Sequence, residues 1–114
     1  VDISKIHFHD ASLLRVVEDT AQDMVVFEVD YPTDWEANVY AMRWIAFDDV
    51  LDYRVCEGPF QGTPTILDVQ TVGDADGRYR LRIDTNAGFR ELSCRDVRLL
   101  ELPPRRDNPA PRGS

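Results

Sequence analysis

From Met24 to Tyr31 the chain places Val25, Phe27, Val29 and Tyr31 on one face, with Glu28 and Asp30 on the other. Arg78 to Asp84 alternates more cleanly still, with Tyr79, Leu81 and Ile83 set against Arg78, Arg80, Arg82 and Asp84. Successive side chains of a strand point to opposite faces, so a period of two predicts half-buried antiparallel strands. Leu51, Tyr53 and Val55 repeat the pattern with Asp52 and Arg54 outside. Pro64–Val72, Phe89–Cys94 and Val97–Leu102 are further strand candidates.

Val39–Phe47 is different, because it is apolar on both faces. Tyr40, Met42 and Trp44 stand opposite Val39, Ala41, Ile45 and Phe47, with Arg43 interrupting the second face. Such a segment belongs at the centre of a sheet or beneath a cover. Leu13, Leu14, Val17, Ala21 and Met24 fall near helical spacing behind a Ser12 cap. The β-branched pair Val16-Val17 and the turn-forming run Thr20–Asp23 favour a strand and a hairpin instead.

Turn chemistry separates these segments. Gly73–Gly77 and Thr85–Gly88 supply Gly, Asp and Asn between strand patterns, and Gly58, Pro59, Gly62 and Pro64 mark a longer loop. In Asp74-Ala75-Asp76-Gly77 a hairpin turn fits better than a calcium loop, since Arg78–Arg82 follows where a liganding glutamate would be needed. The expected fold is all-β, or a β-dominated α+β variant. It has seven to eight short, mainly antiparallel strands in a sandwich or curled barrel-like sheet. Residues 1–102 form the single β-rich domain. Residues 103–114 carry four prolines, and Arg105, Arg106 and Arg112 but no large apolar side chain, so they read as a flexible tail.

Composition narrows the function. Thirteen basic against twenty-one acidic residues give a net charge of -8. That balance argues against a nucleic-acid partner, whose phosphates are bound by clustered basic groups. No apolar run approaches the ~20 residues of a membrane span. The opening segment lacks the basic-then-apolar order of a secretory leader, and the expected compartment is the cytoplasm. Cys56 and Cys94 are then expected as two reduced thiols.

Candidate chemistry is sparse. His7 and His9, the only histidines, flank Phe8 and precede Asp10; on a strand they would share a face and a metal. The alternative has Phe8 buried and Asp10 capping a turn. Nucleophile-elbow, zincin, phosphate-loop and dinucleotide motifs are absent from the sequence. No cofactor is implied, and the chain is expected to be a binding protein rather than an enzyme. Asp48, Asp49 and Asp52 form the densest acidic group, and Glu36 adjoins Trp35 in a connection. Together these five form the expected interaction surface, steering a basic protein partner around an aromatic anchor.

The run Phe8-His9-Asp10-Ala11 followed by Leu13-Leu14, with Ile45–Val50 and Glu91–Cys94 later in the chain, resembles a set of small bacterial β-rich proteins. Those proteins open on a Phe-His-Asp-Ala or Phe-His-Asp-Ser turn. Most have no assigned function, and some are similar to immunity proteins of bacterial toxin systems. The resemblance implies a compact β-rich domain and transfers no catalytic residue. Three functions therefore stand open: a protein-binding module, immunity-like in character; a metal-dependent or otherwise uncharacterised enzyme using His7, His9 and Asp10; and a structural homodimer subunit. An apolar surface centred on Tyr40, Met42 and Trp44 would be the mark of the third.

Overall fold

The structure, a computed structural model, describes residues 6–34, 36–75 and 77–104, with the backbone alone for 72–75. Within them the regular elements are eight strands: β1 (Ser12–Asp19), β2 (Met24–Asp34), β3 (Val39–Asp48), β4 (Leu51–Glu57), β5 (Ile66–Ala75), β6 (Arg78–Thr85), β7 (Gly88–Cys94) and β8 (Asp96–Leu100). They form two antiparallel four-stranded sheets, ordered β1-β2-β3-β8 and β4-β7-β6-β5. The expected all-β sandwich is what the chain adopts.

Register explains the core. In the first sheet Val25 lies opposite Phe47 and Phe27 opposite Ile45; in the second, Leu81 lies opposite Leu92. Directly opposed residues share a face, so each pair presents one apolar stripe to the other sheet. Phe27 and Phe47 meet edge-to-face at 4.9 Å, and both are fully buried with Ile45, Ile66, Leu81, Ile83 and Leu92. Each such side chain contributes about 1.5–3 kcal/mol through removal from water.

The ambiguous segment after Ser12 is a strand. A shift of register between Leu13 and Arg15 turns Leu13 and Val16 toward the core and leaves Leu14 and Val17 exposed. β-Branched packing against β2 prevails there over helical spacing. Residues 7–10, by contrast, lie outside any strand, with His9 and Asp10 in a turn.

Three junctions fasten the sheets together. The start of β1 is laced to the start of β5: the Leu13 amide donates to the Pro64 carbonyl at 2.7 Å and the Ile66 amide to Ala11 at 2.8 Å. The chain then changes sheet between β3 and β4 and returns between β7 and β8. These two corners touch, with the Arg95 amide donating to the Asp48 carbonyl at 2.9 Å. β4 approaches β7 so closely at Gly88 that an added Cβ would collide with the Cys56 carbonyl and lie 2.8 Å from the Glu57 Cα. Only glycine fits there. The β6–β7 hairpin falls at Thr85–Gly88 as its sequence predicts, while β5 runs further than expected, pairing Ala75 with Arg78.

Candidate functional site

The acidic group Asp48, Asp49 and Asp52 sits at the β3–β4 corner, and each member meets an arginine. Asp48 accepts two hydrogen bonds from Arg98, at 2.7 and 2.9 Å. Asp49 lies between two guanidiniums, accepting from Arg95 at 2.7 Å and from Arg78 at 3.2 Å, while its carbonyl accepts from Arg78 as well. Asp52 is only 3.8 Å from Arg80, with its carboxylate mostly exposed. Asp49 and Asp52 both have positive φ, 56° and 55°. Asp tolerates that left-handed backbone because its short polar side chain bonds locally. Much of this cluster is therefore accounted for by the corner itself: two residues provide the turn's conformation, and two bind arginines arriving from β6, the β7–β8 corner and β8.

Glu36 is exposed and lines a shallow cleft with His7, Pro32, Thr33 and Asp34. Trp35 lies outside the described residues. The structure thus places Glu36 on a different connection from the Asp48–Asp52 corner.

His7 and His9 have separate surroundings. The His7 amide donates to the Tyr31 hydroxyl at 2.8 Å, and the residue lines the cleft just described. The His9 Nδ1 lies 2.6 Å from the Leu67 carbonyl, with Nε2 3.5 Å from Asp10. Phe8 between them is buried. Among the described residues no three His, Cys, Asp or Glu side chains converge on a point that a metal ion needs.

A further arrangement, marked in the sequence only through β3, is the outer face of the first sheet. Glu28 lies opposite Trp44, Val26 opposite Ala46, and Trp44 opposite Leu100, all facing away from the core between the sheets. There they build a second, smaller apolar cluster: Met24, Val26 and Ala46 are buried, with Trp44 and Leu100 packed on them. Val17 of β1 and the residues Pro103 and Pro104 stand around it, leaving a groove of about 330 Å³. Toward the far end of β3 the stripe continues into Tyr40, 37% exposed, and Met42, 44% exposed. The Trp44 indole N–H donates to Glu28 at 3.3 Å, and Arg15 holds the same carboxylate at 3.0 Å. The ring is thereby fixed in place.

The two-faced apolarity of Val39–Phe47 is the signal that pointed here. Val17, Met24 and Leu100 were missed because each belongs to a different strand, and only the register brings them beside Trp44.

A further cluster serves the fold. Arg90, on the inner face, donates twice to Glu57 at 2.8 Å and once to the Tyr53 hydroxyl at 2.7 Å. Burial pushes the Tyr53 phenol up, partly offset by the Arg90 charge, while the hydrogen bonds to Glu57 hold the guanidinium charge more firmly. The cysteines are unpaired; Cys56 is exposed on the second sheet, and Cys94 is buried. Desolvation raises the Cys94 thiol to about 12, so it stays protonated and unreactive in the native state.

No protein-family model matches this chain, and none of the curated proteins matches it. No helix among the described residues is long and apolar enough to cross a membrane.

Proposed function

We propose that the chain is a non-enzymatic protein-binding module that works through the outer face of its first sheet, in the cytoplasm, on a basic protein partner. One observation carries this. The outer face holds buried apolar side chains, Met24, Val26 and Ala46, and continues into half-exposed Tyr40 and Met42. A sheet face meant only for water has no need of such a stripe, and contiguous exposed apolar surface marks interaction sites. An immunity-like role, as the resemblance implies, is one form of this reading, with the net charge of -8 favouring encounter with a basic toxin. The acidic corner contributes less to it, because Asp48 and Asp49 are already engaged by arginines.

The same stripe around Tyr40, Met42 and Trp44 supports a second reading, in which the partner is another copy of the chain. One pair of measurements separates them. Immobilised wild-type protein is expected to capture a partner from lysate of its own cells. Met42→Glu should lose that partner, and Arg54→Glu on the opposite sheet should keep it. Sedimentation equilibrium should find a monomer. Capture that survives Met42→Glu overturns the outer-face reading, and a dimer abolished by Met42→Glu assigns the face to self-association.

A further inference from the structure

Resting on the outer-face reading, we infer that the partner adds an extended strand to the open edge of β3 at residues 39–43, with a carboxylate opposite Arg43. β2 pairs with β3 along residues 39–47, but β8 pairs only with residues 44–48. Beyond Leu100 the chain leaves that line, since Pro103 and Pro104 stand on the outer face beside Arg15 and Val17 of β1. Residues 39–43 therefore have β2 as their one strand neighbour among the described residues. The other edges are blunted. β1, β4 and β5 each carry a break in register, and β8 has five residues. Bulges and short strands are how sheets avoid unwanted pairing. From Tyr40 to Arg43 the ladder runs without a break.

In an antiparallel ladder, alternate residues turn their N–H and C=O groups to opposite edges. The Val39 carbonyl accepts from Thr33 on β2, while the Asp48 carbonyl accepts from Arg95 on the β8 side. Tyr40 and Met42 share the parity of Asp48, so their amides and carbonyls face the open edge. Arg43 covers the Met42 carbonyl at 2.8 Å, and among the described residues its guanidinium meets no carboxylate. A backbone edge selects a strand, and an uncompensated guanidinium beside it selects a carboxylate. The incoming residue opposite Arg43 belongs to a non-hydrogen-bonded pair, where side chains stand closest. Its carboxylate draws Arg43 from the Met42 carbonyl, which then accepts an amide of the added strand. One and three residues further along that strand, apolar side chains meet half-exposed Met42 and Tyr40 and extend the stripe that begins at Trp44. One carboxylate at this point of contact suffices, and the rest of the partner stays basic.

The test uses the full chain and the fluorescein-labelled peptide Lys-Glu-Phe-Val-Ile-Thr-Lys, read by anisotropy. Antiparallel pairing sets its Glu opposite Arg43, its Phe opposite Met42 and its Ile opposite Tyr40. Saturable binding at roughly 100 µM is expected. N-Methylation of the Phe and Ile amides, which face β3, should weaken it about tenfold or more. N-Methylation of Val, whose amide faces away, should leave it unchanged. Replacing the peptide's Glu by Gln should weaken binding about threefold in the wild type and not at all in Arg43→Gln. Lack of saturation overturns the inference, as do equal losses from both methylations or a Glu effect that survives Arg43→Gln. A wild-type dimer that takes no peptide gives the edge to a second copy and also overturns it. Should the peptide fail while Met42→Glu still abolishes capture, the outer-face reading stands and this inference alone falls.

Discussion

The outer faces of the two sheets differ sharply. On the first, β3 presents Trp44 and Ala46, which pack with Met24, Val26 and Leu100 into a cluster outside the main core. On the second, β6 presents arginines instead: Arg82 bonds Asp84 at 3.0 Å and stacks 3.9 Å above the Phe89 ring, and Arg54 on β4 reaches Glu91 on β7 at 3.1 Å. The second face is finished for water around Phe89, whose ring the Arg82 guanidinium covers. The first face is finished only in part. Two sheets of equal size and matching topology thus hold their shared core similarly, and they part company in what they offer outward.

Substitution on the two faces gives the largest expected contrast. Trp44→Ala removes the ring that covers Met24, Val26 and Ala46, and should cost about 2–3 kcal/mol, or roughly 10–15 °C in melting temperature. Arg82→Ala should cost about 1 kcal/mol or less, since its partners are half exposed. Equal losses in thermal denaturation would erase the distinction.

The corner joining the sheets gives the next. Asn keeps the left-handed conformation of Asp49 but removes the charge, so Asp49→Asn isolates its contacts with Arg78 and Arg95. A loss of about 1–2 kcal/mol is expected in urea denaturation. Asp52→Asn, whose nearest guanidinium is 3.8 Å away, should stay within about 0.5 kcal/mol. Unchanged stability in both variants, with slowed association of a captured partner, would return the acidic group to a binding role.

The thiols give the smallest effect and compare the outer face of the second sheet with its interior. A disulfide reagent at pH 8 should titrate Cys56 in the native protein and Cys94 only on unfolding. Because the folded Cys94 thiol sits near 12 against an ordinary 9, its contribution is fully present below pH 9 and is lost as pH rises toward 12. The unfolded chain loses that proton first, so stability should fall by about 1 kcal/mol between pH 8 and 10. Cys94→Ala should flatten that slope, and a slope unchanged by the substitution would place its origin elsewhere.

Much of the fold was legible because a period of two is a local property. Tyr79, Leu81 and Ile83 declare an inward face whatever their neighbours, and the left-handed turns fall on Asp and Asn, as at Asp23, Asn38 and Asp49. The site was less legible. Asp48, Asp49 and Asp52 looked like a free acidic group because their arginines lie up to 50 residues away. His7 and His9 looked convergent only on the premise of a strand, and both lie outside any strand.

The amino-acid pattern by itself determined the strands, the turns and the stripe of each strand that avoids water, since these follow from alternation and from residues that tolerate particular backbone angles. Tertiary structure alone decided which strands lie side by side. Pairing β2 with β3 and β3 with β8 brings Met24, Val26, Trp44 and Leu100 into one cluster, and the β3–β4 and β7–β8 corners bring Asp49 between Arg78 and Arg95. Alternation states that a strand has two faces. Which of them meets the other sheet, and which neighbours share the remaining one, depends on registers set between residues far apart in the chain.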